Sequence, residues 1–559
     1  MKKDKLNKRT VKDKSLEIRF IIIAVILISI FCIALTPVTF QNDTYYTIKI
    51  GEHIVEYGID MQDPFSWHEN LGYTYPHWLY DLLTYLIYSI SGFTGIYITT
   101  CILSVILGLS IFFVNRKLVK NDFMSFIVTI GAMYLLKPYI AARAQLVTFI
   151  LFLFTVYFIE CFLSTKKIRY AVGLVIIPIL IANLHSAVFP FYFVLYLPYI
   201  AEYLIACISE IVIYKKIKIF NLIRKIKKLE NKNINNEKLE NLKKQLNELE
   251  IKIDKVKVKR TKELKSPYKI KMEKNKNVKW LILILVICIF TGLLTPLGTT
   301  PYTYLFKTMQ GNTTQNINEH LPMTLATDTD IICTLIIFLA ILIFTKAEIR
   351  LCDLFMLGGL CYLMLASRRQ VSMFAIIACI ILNRLVLEID RIYTGNTIKE
   401  ASKAMASKVG LILTTIIMLI LSMYFAKDKF DDKFIDEDQY PVKACDFILE
   451  NVDLGQAKFY NEYNYGSYML FRGIPVFIDS RADLYSPEFS GKKDDIFMDF
   501  INTSSINDFY EDTFEKYGIT HVICFRTSKV NMLITKTHDE NYNKLYEDNR
   551  FIIYERVTE

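Results

Sequence analysis

Long apolar runs recur along the chain, at approximately 18–40, 78–114, 123–136, 144–163, 170–183, 187–213, 280–297, 329–345, 351–366, 371–387 and 409–426. A bilayer core takes roughly 20 mostly apolar residues per helical span. In lipid each segment must also satisfy its own backbone polar groups, so these runs predict helices. The run 78–114 must cross an odd number of times, and one crossing plus an interfacial helix near Trp78–Ile90 fits it. The pattern therefore predicts a mostly α polytopic membrane protein with about 11 transmembrane helices.

Two stretches depart from this pattern. In "LENLKKQLNELEIKI", Leu239, Leu242, Leu246, Leu249 and Ile253 recur at coiled-coil spacing, and the Asn-rich "ENKNINNEK" before it reads as a turn. A cytoplasmic helical hairpin is expected there, either an insertion without catalytic role or a regulatory arm. From about Lys427 helical and strand patterns alternate. "PVKACDFILENV" predicts a helix, "QAKFYNE" a strand, "YGSYMLFR" a short helix and "GIPVFID" a strand. A helical stretch over 494–517, the strand "THVICF" and a closing "RFIIYERV" complete a small α/β domain.

Charge orients the helices. The basic connectors 115–120, 164–169, 214–279, 346–350 and 384–408 all fall on one side, which the positive-inside rule makes cytoplasmic. The basic start followed by the long run 18–40, with no small-residue cleavage site, reads as a retained anchor rather than a signal peptide. The expected organisation has five parts: a basic cytoplasmic N-terminus (1–17), a first membrane half (18–213) with an outer loop 41–77, and the basic hairpin (214–279). A second membrane half (280–426) with an outer loop 298–328 and an extracytoplasmic α/β domain (427–559) follow. The N-terminus is then inside and the C-terminal domain outside.

Composition narrows the classes. The chain is 53% hydrophobic with a mean hydropathy of +0.30, too apolar for a soluble protein of 559 residues. The net charge of +10 does not point to nucleic acid, because residues 214–279 alone hold 23 Lys and Arg against 8 Asp and Glu. Nine of eleven Cys lie in apolar runs, and no Cys or His spacing suggests a metal cage or a disulfide framework. Usage rich in Ile, Lys, Asn and Tyr suggests a bacterial cytoplasmic membrane.

Candidate chemistry gathers on the outer side. Asp43, Lys137, Arg143, His185, Glu319, His320, Arg368 and Arg369 all fall in outer connectors. Charges at membrane depth are costly and usually functional. Asp43, placed where the first span ends, is a candidate general base. Lys137, Arg143, Arg368 and Arg369 suit the phosphate of a lipid carrier, because a guanidinium meets phosphate oxygens with two donors. Glu319 is a second candidate carboxylate, and His53, Trp67, His185 and His320 are candidate acceptor or sugar contacts. A divalent cation is permitted beside "EHLP", but no ligand spacing demands one. Each feature has a plainer counterpart: a solvated helix flank, headgroup snorkelling, an ordinary polar loop or an interfacial aromatic belt.

The order of "NDTYYTIKIGEHIVEYGIDMQDPFSW", "PHWLYDLL", "KPYIAARAQLVTF", "NLHSAVF", "TPLGTTPY…INEHLP", "SRRQVSMFA" and "YNEYNYGSYMLFRGIPVFIDSRADLY" resembles the GT-C superfamily of integral-membrane glycosyltransferases. The bacterial group with an RgtA/B/C/D-like domain is the nearest resemblance, with protein O-mannosyltransferases and lipid A aminoarabinose transferases more distant. The resemblance implies a polyprenyl-phosphate sugar donor and an acceptor glycan, lipid or protein at the outer face. It implies a base or acceptor-binding role for Asp43, and donor-phosphate contacts from Arg143, Arg368 and Arg369. Two positions depart from the family pattern: Thr44 follows Asp43 where paired acidic residues are common, and Lys137 stands where Arg is common. A transporter or flippase of an anionic envelope precursor and a non-enzymatic envelope scaffold are the alternatives. Transporters usually carry internal repeats and midplane ion sites, and the chain shows neither pattern.

Overall fold

The computed structural model describes residues 2–210, 212–230, 237–254, 263–265, 269–324, 328–395, 397–537 and 539–557. The chain is mostly helical, with a small C-terminal sheet. Six segments are long and apolar enough to cross a membrane: Glu17–Leu35, Trp78–Val119, Ala144–Thr165, Ser186–Ile208, Arg368–Thr394 and Lys408–Lys429. Shorter apolar helices run over Ile168–Leu184, Val278–Leu293, Thr329–Phe344 and Leu351–Ala366. The protein is read as an integral membrane protein on these helices. Their packed faces form one apolar core, which includes Phe31, Phe112, Phe152, Leu174 and Phe374.

The helix Trp78–Val119 is broken at Gly92, whose φ of 59° lies in the left-handed region open to glycine. The break separates a first segment over 78–91, where the run was expected to hold an interfacial helix. The run 187–213 is also broken, into Phe189–Val194 and Leu197–Glu210. In the basic block the helices Val212–Glu230 and Glu237–Asp254 pack together, and Lys243 pairs with Glu230 at 2.7 Å. The expected turn at 231–236 lies outside the described residues. Two strands not foreseen in this block, Glu263–Lys265 and Ile270–Glu273, pair antiparallel, and the second joins Ile349–Arg350 in parallel.

The stretch 41–77 is not the plain loop expected from its polarity. It opens with a 16-residue helix, Asn42–Tyr57. Asp43 stands in the first turn of that helix, not at the end of the first span, which stops at Leu35. The helix was hidden because its buried face is built largely of Tyr and Thr. Thr44, Tyr45, Thr47, Ile48 and Gly51 point inward at helical spacing. Tyr45, Ile48, Leu71, Tyr73 and Tyr75 join the core of the C-terminal domain rather than that of the membrane helices.

In the C-terminal domain the strands Phe459–Tyr460, His521–Phe525, Phe551–Arg556 and Tyr542–Glu547 lie side by side in that order. The first pair is parallel and the others are antiparallel. The helices Val442–Asn451 and Tyr463–Phe471 fall where expected, and the 494–517 stretch forms two, Ile496–Ser505 and Tyr510–Tyr517. The helix Lys529–Thr537 and the strand Tyr542–Glu547 were not foreseen.

"GIPVFID" is apolar and β-rich, yet it joins no sheet. Its backbone groups are taken elsewhere: the Val476 carbonyl accepts from Trp67 N–H, and Asn461 bonds both the Phe477 N–H and the Ile478 carbonyl. Arg481, 6% exposed, closes the same junction. It donates to Asp63 at 2.7 Å and to Asp479 at 2.9 and 2.7 Å, with the rings of Phe65 and Tyr73 against its guanidinium.

Removing one partner of a buried ion pair costs about 3–5 kcal/mol, because the other charge stays buried and unpaired. Arg481→Met should lower the unfolding free energy of the extramembrane unit by about that amount. Limited proteolysis should then cut within 58–77, which wild type protects. Burial pushes the Glu462 carboxyl up to about 7 although the Phe525 N–H donates to it. A raised carboxyl favours the folded state in its protonated form. Its contribution is full below the ordinary value of 4.5 and is lost as pH rises through about 7. Thermal unfolding across that range should lose stability in wild type and flatten in Glu462→Gln.

Candidate functional site

A cavity of about 850 Å³ opens where the membrane helices meet the extramembrane unit. Three extramembrane walls stand over a floor made by Arg143, His185, Phe191, Leu363 and Arg369 at the helix ends. The first comes from the helix Asn42–Tyr57 and the stretch 72–77. The second comes from the helix Thr300–Gln310 and the loop 314–322. The third is the C-terminal domain at 463–464, 480–484 and Phe489.

Polar bonds tie these walls together. Asp483 accepts from Tyr304 Oη at 2.8 Å, Thr308 Oγ1 at 3.1 Å and Thr313 Oγ1 at 2.8 Å. Two residues earlier, Arg481 grips Asp63, in the stretch that links the two parts of the first wall. The segment "DSRAD" thus binds the first wall through a cation and the second through an anion. No pattern in its neighbours along the chain announces either partner.

Within the cavity Arg143 donates to Asp43 at 2.8 Å and to Glu319 at 2.9 Å. Two carboxylates from residues 276 positions apart share one guanidinium. Burial alone would push the Glu319 carboxyl up, but Arg143 and Arg369 outweigh it and hold Glu319 below the ordinary carboxylate range. His320 is held below the usual imidazole value, first by burial and then by Arg369.

Arg369 lines the same cavity. Its backbone N–H donates to the Glu319 carbonyl at 2.9 Å. Among the described residues no carboxylate lies within ion-pair distance of its guanidinium. It is therefore a cation that lines the cavity without a counter-ion among the described residues.

His185 also lines the cavity, with Nδ1 2.8 Å from Thr148 Oγ1. Asp43, Arg143, His185, Glu319, His320 and Arg369 thus line one cavity.

The remaining candidates do not join them. Lys137 is exposed and rests over the Phe425 ring, outside the cavity. Arg368 is not in that cavity but lines a neighbouring one of about 260 Å³ together with Arg143, Glu319 and Arg369, and its guanidinium reaches Asp328 and Thr324. His53 bonds Asp60 at 3.0 Å, and Trp67 donates to the Phe459 carbonyl at 2.9 Å. Both are committed to holding the first outer segment in place.

Tyr46 and His77, with Asp81 behind them, are among the cavity residues that the sequence did not put forward as site residues. The signal was present in "PHWLYD": a His and an Asp four apart on a helix share one face. No group of three or more His, Cys, Asp or Glu side chains among the described residues could hold a metal ion. Asp43 and Glu319 converge on Arg143.

No protein-family model matches the chain, and no curated protein matches it. Solved structures do. An archaeal oligosaccharyltransferase, AglB from Archaeoglobus fulgidus, in complex with an inhibitory peptide and a dolichol-phosphate, superposes with a TM-score of 0.52 at 12% identity. The match covers 92% of this chain and 70% of that one. An Archaeoglobus fulgidus oligosaccharyltransferase tethered to an acceptor peptide with the NVT sequon matches with a TM-score of 0.50 at 11% identity, over 95% of this chain and 73% of that one. At this identity the likeness concerns the backbone, and the chain shares the fold of these two oligosaccharyltransferase structures.

Proposed function

We propose that the protein is a membrane glycosyltransferase that moves a hexosyl or pentosyl group from a polyprenyl-phosphate donor to an acceptor at the outer face. The observation that carries this reading is the content of the 850 Å³ cavity: two carboxylates fixed on Arg143, and one guanidinium, Arg369, without a counter-ion. The similar archaeal enzymes were solved with a dolichol-phosphate and with an acceptor peptide, which supports a lipid-linked donor. A donor that cannot leave the bilayer must react at its boundary, and the cavity lies at the ends of the apolar helices.

In this reading Arg369 holds the donor phosphate and stabilises the charge that gathers on it as the sugar leaves. Asp43, oriented by Arg143, receives the acceptor hydroxyl as its hydrogen-bond acceptor or base. Glu319 completes the acidic wall, and His185 and His320 border the space left for the sugar. About eleven crossings, an inside N-terminus and a bacterial cytoplasmic membrane complete the proposal. The five-part division is kept: 1–17, 18–213, 214–279, 280–426 and 427–559.

Sugar transfer from radiolabelled polyprenyl-phosphate hexoses and pentoses, in membranes carrying equal amounts of inserted protein, tests the reading. Asp43→Ala should abolish transfer. Arg369→Ala should lower kcat/KM for the donor by about 10²–10³-fold, the scale of losing one charge-stabilising donor. Lys137→Ala, outside the cavity, should leave transfer within about twofold of wild type. Transfer that survives Asp43→Ala and Arg369→Ala together would refute the assignment.

A further inference from the structure

Transfer to a hydroxyl releases a proton, yet Asp43 and Glu319 are already engaged by Arg143, and Asp483 by Tyr304, Thr308 and Thr313. A separate acid–base pair faces the same space. His77 lines the cavity at the start of the helix Trp78–Val119. Its Nδ1 lies 2.8 Å from both oxygens of Asp81, one turn further along. Asp81 is fully buried. A carboxylate at Nδ1 keeps the ring proton there, which leaves Nε2 as the acceptor.

Nε2 faces Tyr46, whose Oη is 3.3 Å away and whose ring stacks on the imidazole at 5.8 Å. Tyr46 also lines the cavity, three residues beyond Asp43 on one helix, so the two side chains are neighbours.

The pair is held rigidly. The Pro76 carbonyl accepts from both the N–H and the hydroxyl of Ser186, at 2.7 and 2.8 Å, which fixes the backbone beside His77. The two helices touch at Gly51, where even a methyl would overlap the Asp81 carbonyl. Asp81, His77 and Tyr46 thus form a hydrogen-bonded line from the buried interior to the cavity, ending next to Asp43.

We propose that His77, held by Asp81, is the general base that takes the acceptor's proton, passed on by Tyr46, while Asp43 orients the acceptor hydroxyl. This rests on the glycosyl-transfer reading. The acceptor oxygen forms its bond to the anomeric carbon. The bond from that carbon to the phosphate oxygen breaks, and its electron pair leaves on the polyprenyl phosphate held by Arg369. The hydroxyl proton moves to Tyr46 Oη as the Tyr46 proton moves to Nε2. The imidazolium so formed is balanced by Asp81 and afterwards returns its proton to solvent.

Azide separates this role from a structural one, because it attacks the anomeric carbon without losing a proton. The full-length protein in lipid nanodiscs is given a polyprenyl-phosphate sugar with either octanol or azide. His77→Gln should lower transfer to octanol by about 10²–10⁴-fold while formation of the glycosyl azide stays within about threefold of wild type. Tyr46→Phe, which leaves the His77–Asp81 pair untouched, should shift the balance the same way. Arg369→Ala should lose both products, since it acts on the leaving phosphate. If His77→Gln keeps its octanol transfer, or loses azide transfer equally at unchanged thermal stability, His77 is not the base. A wild type that yields neither product overturns the glycosyl-transfer reading itself, and this assignment with it.

Discussion

Arg143 is the interaction on which the candidate site depends. Two carboxylates brought to one cavity repel each other, and one would be driven to take up a proton unless a cation stood between them. Arg143 removes that conflict by bonding Asp43 and Glu319 at once. Its own charge is balanced by the same contacts, with Arg143 and Asp43 half-buried and Glu319 at the more open side. The bonds also set position. The first turn of the helix Asn42–Tyr57, the start of the helix Ala144–Thr165 and the second outer loop are held at one point.

The extramembrane unit closes around that point. The first outer segment lends Tyr45, Ile48, Tyr73 and Tyr75 to the core of the C-terminal domain. Arg481 and Asp483 then bind the two outer segments through opposite charges. A cavity lined both by these segments and by the ends of membrane helices gains its shape only when all of them are docked. Its residues therefore combine long-range placement with the close hydrogen bonding that a buried polar wall requires.

Cations near one another in space differ sharply in what they can offer a ligand. Arg143, Arg368, Arg481 and Lys137 are each engaged, by carboxylates or by an aromatic ring. Arg369, adjacent in sequence to Arg368, has no such partner among the described residues. "SRRQ" presents two identical side chains, and only their surroundings separate them. One turns toward Asp328 and Thr324, the other toward the open cavity.

Hydrophobic period and charge bias act locally along the chain, which is why the sequence by itself determined much of this protein. It sufficed for the helical membrane architecture and the α/β tail, and it singled out Asp43, Arg143, Glu319 and Arg369, which line one cavity. It missed the helix Asn42–Tyr57, because a face of Tyr and Thr reads as polar although it packs as core. It made "GIPVFID" a strand, because β propensity does not reveal that Asn461 and the 65–67 stretch already use its backbone. It grouped Lys137, His53 and Trp67 with the site, because residue type does not say which side chain is already bonded elsewhere. Only the tertiary structure decided which charges are paired and which face open space. That choice belongs to contacts between segments hundreds of residues apart, and no local pattern encodes such contacts.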